Sequence, residues 1–226
     1  ITLSGRQCDE LFTLASDNKC ILMEAMKTAY ATAFSRLILL AKGGRIGDII
    51  SVDATCTSLI DSENVYFPTW NSICDWGPTA MLPIFQLLGT DYKSKQIITY
   101  LLDSKIRFDG FTKIEFVFNH GVGSIKVGKG VKSEGELIVS GTSGYIYVPA
   151  PWWKTDYFEI RYENPVNNKR YFYQLDGEGI RYELVAFLRA IERGKNVFYI
   201  DQNISKAIAD VIGDFYRDSS SVIIKP

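Results

Sequence analysis

A chain of 226 residues has room for one large domain, or for one domain and a fragment of another. Its hydrophobic content of 46% is enough for a buried core, and a formal net charge of −1 excludes the basic footprint that nucleic acid or an anionic membrane requires. The apolar runs, such as Leu37 to Ala41, are too short to cross a bilayer, so no membrane partner is expected.

Ile1 to Ser4 lacks the charged start and apolar centre of a signal peptide, and a first residue that is not Met points to a processed, trimmed or partial chain. Cys8, Cys20, Cys56 and Cys74 form no C-x-x-C pair, which argues against a zinc site and for free thiols in a reducing, cytoplasmic setting. The single histidine, His120, lies in a turn-forming Asn119-His120-Gly121 run and is read as turn chemistry.

The first expected element is a helix capped by Ser4, with Gln7 three residues on and Cys8, Leu11, Phe12 and Ala15 along one face. A short strand, Cys20 to Met23, follows. A helix from Thr28 to Lys42 buries Tyr30, Phe34, Leu37, Ile38 and Ala41 and stops at Gly43-Gly44. Ile49 to Thr57 is a strand rich in β-branched residues. Asp75-Trp76-Gly77-Pro78 opens a third helix that runs to Leu88, with a kink expected at Pro83.

From Gln96 to Gln174 the period changes to two. Strands are predicted at Ile97–Leu102, Ile114–Phe118, Ser124–Val127, Glu136–Val139, Tyr145–Val148, Phe158–Tyr162 and Tyr171–Tyr173, joined by short turns. Two helices close the chain. The first, Arg181–Arg193, is expected to turn Leu184, Phe187, Leu188 and Ile191 inward. The second, Asn203–Tyr216, is expected to bury Ile204, Ile208, Val211, Ile212 and Phe215. The fold class is therefore α+β, an open and mainly antiparallel sheet with helices on one face. Helices can cover only one side, so the aromatic and charged residues of the other side suit a partner surface, and a homo-oligomer is expected.

No glycine run here fits a dinucleotide loop, which needs a strand before it and a helix after it. Gly121-Val122-Gly123 leads into a strand, Gly128-Lys129-Gly130 has no helix after it, and Gly177-Glu178-Gly179 has no parallel strand before it. No cofactor is expected on this chain. Asp75 either caps its helix or places a carboxylate at a cleft. Lys27 and Thr28 lie where a strand end meets a helix start, a place suited to a sugar hydroxyl or a phosphate. Trp152 and Trp153 either stack on a sugar face or fill a core margin.

The motifs, taken in order, resemble the Gfo/Idh/MocA (glucose–fructose oxidoreductase/inositol dehydrogenase) family. They are Leu22-Met23-Glu24-Ala25-Met26-Lys27-Thr28, Gly44-Arg45-Ile46-Gly47-Asp48-Ile49, Asp75-Trp76-Gly77-Pro78-Thr79, Gly141-Thr142-Ser143-Gly144-Tyr145-Ile146, Pro149-Ala150-Pro151-Trp152-Trp153 and Gly177-Glu178-Gly179-Ile180-Arg181-Tyr182-Glu183. The last two are similar to the dihydrodiol-dehydrogenase-like branch.

The resemblance implies a parent enzyme that uses NAD or NADP on a sugar, cyclitol or sugar nucleotide. It makes residues 1–25 the last helix and strand of a truncated Rossmann domain and residues 26–226 the substrate-binding and oligomerisation domain. It also places the family's lysine motif just upstream of Ile1. In the family's Asp-x-Gly-x-(Tyr/His) signature Asp75 and Gly77 match. Thr79 stands at the proton-transfer position, and Thr69-Trp70-Asn71 replaces the glycine run before it. Asp75 and Thr79 are the catalytic candidates; Lys27, Thr28, Trp152 and Trp153 are the substrate-binding ones. A non-catalytic sugar-binding or assembly module is the alternative.

Overall fold

The structure, a computed structural model, describes residues 1–59, 71–194, 199–217 and 220–225. Helix α1 (Gly5–Asp17) starts as expected, with the Ser4 hydroxyl accepting the Gln7 amide hydrogen. Cys20 to Met23 is not a strand: it is irregular backbone with no strand beside it. A strand needs a neighbour to take its backbone hydrogen bonds, which apolar content alone does not provide.

The expected helix Thr28–Lys42 is divided. A single turn, α2 (Lys27–Tyr30), is separated from α3 (Thr32–Lys42) by extended backbone at Ala31. Tyr30, Phe34, Leu37 and Ala41 are buried as the spacing predicts.

Among the described residues nine strands form one sheet: β1 (Ile49–Thr57), β2 (Ser94–Asp103), β3 (Phe108–Val117), β4 (Val122–Gly128), β5 (Leu137–Gly141), β6 (Tyr145–Val148), β7 (Tyr157–Arg161), β8 (Lys169–Phe172) and β9 (Val222–Ile224). Their order is β8-β7-β6-β5-β1-β4-β3-β2-β9. Six of the neighbouring pairs are antiparallel, and only β1 with β4 and β2 with β9 run parallel. The sheet is open and mainly antiparallel, as expected.

One face carries the core. Val52, Ala54 and Cys56 of β1 align with Gly123, Ile125 and Val127 of β4, and Ile114 and Phe116 of β3 continue the layer. On it lies α4 (Ser72–Leu88), which buries Ile73, Ala80, Met81, Leu82, Ile84 and Phe85. Gly123 permits this contact: a Cβ there would lie 2.6 Å from Cγ2 of Ile84. Despite Pro78 and Pro83, α4 is continuous. Its sheet-side packing outweighs the two missing amide hydrogens, so no break occurs at Pro83. Helix α6 (Gln202–Arg217) packs on α4 and carries α1 outside it, burying Ile204, Ile208, Val211, Ile212 and Phe215 as predicted.

Helix α5 (Ile180–Arg193) differs from expectation. Its inward stripe is Tyr182, Ala186 and Ala190, whereas Leu184, Leu188 and Ile191 are 55%, 57% and 52% exposed. Two stripes of α-helical period coexist in this segment, and the helix turns the smaller one toward its neighbours.

The opposite face of the sheet bears charges and aromatics. Lys113 of β3 faces Lys126 of β4, and Glu115 faces Ser124, which donates to it at 3.1 Å. Farther along, Arg161 donates to Glu159 at 2.5 Å and lies over the Tyr147 ring, and Tyr157 meets Phe172.

Candidate substrate-binding site

Strands β1 and β4, parallel and in register, end together at Thr57 and Gly128. Segments leaving a parallel pair at its carboxyl end converge on one spot, and here α4 begins beside them. Thr57 is buried, and its hydroxyl donates to the Ser133 carbonyl while accepting the Ser133 amide hydrogen, both at 2.9 Å.

The start of α4 is fixed from several sides. It begins earlier than the sequence indicated, at Ser72, because Asn71 caps it: the Asn71 amide oxygen accepts from the Cys74 amide at 3.1 Å. Asp75 is therefore not the cap. Asp109, fully buried on β3, accepts from the Ile73 amide at 3.2 Å and from the Thr112 hydroxyl at 2.5 Å. Burial raises its carboxyl to about 6, against the lowering effect of those hydrogen bonds.

Asp75 lies in the first turn, partly exposed, with Oδ2 2.5 Å from Nζ of Lys129. Thr79 follows one helical turn later on the same side and is partly buried. Its carbonyl lacks the usual intrahelical donor, because the residue four positions on is Pro83.

Next to Asp75, the Trp76 indole N–H donates to the Ser58 hydroxyl at 3.1 Å, and its ring lies 4.8 Å from that of Trp153. The two adjacent tryptophans have different fates. Trp153 is partly exposed, whereas Trp152 is 0% exposed and donates its indole N–H to the Thr55 carbonyl at 3.0 Å. With Phe34 beside it, Trp152 is a core residue with no open face for a sugar.

Thr28 is likewise buried, and its hydroxyl donates to the Trp153 carbonyl at 3.0 Å, which holds that tryptophan in place. Lys27 reaches Glu178 at 2.7 Å, and Lys154 reaches the other oxygen of the same carboxylate at 2.6 Å. Hydrogen bonds from Lys154 and Lys27 pull the Glu178 carboxyl down to about 2.

The chain of contacts Asp75–Trp76–Trp153–Thr28–Lys27 thus links most of the candidates read from the sequence. Thr69 and Trp70 lie outside the described residues. Lys129, Trp76, Lys154 and Glu178 were not singled out as site residues; Trp76 and Lys154 adjoin candidates in the sequence and Glu178 lies within a quoted motif, whereas Lys129 carried no such signal. Among the described residues no group of three or more His, Cys, Asp or Glu is placed to hold a metal ion. Chemically, the site offers an oriented carboxylate, a partly exposed indole and two lysine ammonium groups, a set suited to hydroxylated ligands with an apolar ring face.

The chain resembles solved structures over nearly its whole length. KijD10, a 3-ketoreductase from Actinomadura kijaniata in complex with NADP and TDP-benzene, matches 99% of this chain and 70% of its own, with a TM-score of 0.82 at 13% identity. The aldose-aldose oxidoreductase from Caulobacter crescentus, complexed with glycerol, matches 95% of this chain and 66% of its own, with a TM-score of 0.77 at 14% identity. The probable oxidoreductase yhhX matches 96% and 69%, with a TM-score of 0.74 at 15% identity. The chain shares its fold with these structures.

No family model and no curated protein sequence matches it. At such identity the backbone is shared and the side chains are largely this chain's own. Within the shared fold, the convergence of Asp75, Trp76 and Trp153 at the end of the parallel pair is therefore read from this structure alone. No helix among the described residues is long and apolar enough to cross a membrane.

Proposed function

We propose that the chain is the substrate-binding and oligomerising portion of an NAD(P)-dependent oxidoreductase of the Gfo/Idh/MocA family, acting on a sugar, cyclitol or sugar nucleotide. Residues 1–25 are then the end of a Rossmann domain, and residues 26–226 the substrate domain. The observation that carries this reading is the fold match across 99% of the chain to an NADP- and TDP-benzene-bound ketoreductase. The polar and aromatic groups at the C-terminal ends of β1 and β4 support it.

In this reading Asp75 accepts a substrate hydroxyl, Trp153 covers an apolar ring face, and Lys27 donates to a hydroxyl or phosphate once released from Glu178. Thr28 positions Trp153. The nicotinamide cofactor would supply hydride chemistry. The glycines of this chain do not fit it, since Gly123 and Gly128 lie within β4 and the turn at Gly177 to Gly179 follows an antiparallel strand. No step is therefore assigned through that group.

The test is a screen of sugars, cyclitols and sugar nucleotides with both nicotinamide cofactors, using the chain joined to a nucleotide-binding domain. Turnover of one substrate class is expected. Failure of every substrate both to turn over and to bind saturably overturns the reading.

Thr79 favours a second reading, a non-catalytic carbohydrate-binding or assembly module, because an alcohol is too weak an acid to deliver a proton near neutral pH. Robust turnover that survives Thr79→Val removes that support.

A further inference from the structure

Lys129 belongs to no motif and lies between two glycines, yet its position is closely defined. Its backbone amide donates to the Ser72 hydroxyl at 2.9 Å and to the Gly110 carbonyl at 3.0 Å, so it is tied to both α4 and β3. The loop lies flat on β3: a Cβ at Gly130 would sit 3.2 Å from the Gly110 Cα, and one at Gly128 would sit 3.0 Å from the Val131 carbonyl oxygen. The lysine side chain is 7% exposed, and its ammonium meets Asp75, whose side chain is 41% exposed. A buried ammonium is expensive to desolvate and has to be held by ion pairs and hydrogen bonds, of which the contact with Asp75 Oδ2 is one. The rigid backbone on one side and the short ion pair on the other fix where that carboxylate lies.

We propose that Lys129 is a positioning residue for Asp75 in carbohydrate binding. It engages Oδ2 and fixes the carboxylate plane, which presents Oδ1 as a directed acceptor for a single ligand hydroxyl. The ligand class is a polyhydroxylated ring, free or nucleotide-linked. This rests on the proposed function and goes beyond it by assigning a residue and a geometry.

The probes are glucose, myo-inositol and TDP-glucose, titrated against the 226-residue chain and followed by tryptophan fluorescence, since Trp76 adjoins Asp75. Deoxy analogues of whichever probe binds follow. In the unmodified chain, loss of one particular hydroxyl is expected to weaken binding about tenfold, the range of one hydrogen bond to a charged group. Lys129→Met should bind the parent ligand about tenfold more weakly and lose discrimination against that deoxy analogue, as should Asp75→Asn. Lys129→Arg should restore part of both. Circular dichroism and thermal melting check that each variant folds.

If Lys129→Met binds like the unmodified chain, Lys129 has no such role. If binding weakens but the deoxy penalty is unchanged, Lys129 is merely structural and the inference fails. If the unmodified chain binds none of the probes, the carbohydrate reading itself falls, and this inference with it.

Discussion

Asp109 shows how a single buried group leaves a signature in solution. Its native carboxyl titrates at about 6, above its unfolded value of about 4, because burial disfavours the charge. The native state therefore binds the extra proton between those values. The stabilisation is complete below about pH 4 and is lost as pH rises through about 6, a change of about 3 kcal/mol. Denaturant titrations at a series of pH values should show this decline, and Asp109→Asn should flatten it. The adjacent tryptophans give a second residue-level contrast. Trp152→Ala removes a fully buried ring and should cost about 3–5 kcal/mol. Trp153→Ala should cost clearly less and act mainly on carbohydrate binding; equal losses of stability would contradict the division. Asp75 was legible because it sits in a recognisable motif. Lys129 was not, because a lysine between glycines looks the same in a solvated turn as in a buried one.

At the scale of elements, the strongest dependence is at the start of α4. Asn71 accepts from Cys74 and donates to the Tyr216 hydroxyl at 2.8 Å, joining α4 to α6. Asn71→Ala should cost about 1–2 kcal/mol in a thermal or denaturant melt. Loss of under about 0.3 kcal/mol would mean that Asp109 alone secures the turn. The strands were legible because period-two burial and frequent turn residues agree, and β1 was bounded correctly. The helix from Thr28 was misjudged at Ala31, since nothing about an alanine announces extended backbone. The face of α5 was misjudged because bulky residues attract attention while contacts with α2 favoured its alanines. Cys20 to Met23 had the composition of a strand and lacked a neighbour. β9 was missed, being three residues long.

For the whole molecule, the alternation of faces was readable but the order of strands was not. The parallel meeting of β1 with β4 joins segments far apart in sequence, and local pattern does not encode it. That pairing creates the site. The uncovered face, with Tyr157, Glu159 and Arg161 at one end and Lys113, Lys126 and Glu115 near the centre, is the proposed surface for self-association. Light scattering at micromolar concentration should find an oligomer that Tyr157→Ala with Arg161→Glu dissociates; a monomeric unmodified chain refutes the proposal. The last feature with consequences is β9. Its three residues bond to only Ile98, Thr99 and Tyr100 of the ten-residue β2. This short cover occupies a template that would otherwise recruit foreign strands. A chain ended at Arg217 should still fold, since none of the described residues removed is buried. It should also form fibril-like or amorphous aggregates more readily, through bared backbone donors and acceptors beside Ile98 and Tyr100. Unchanged turbidity on prolonged incubation would show that the cover is dispensable.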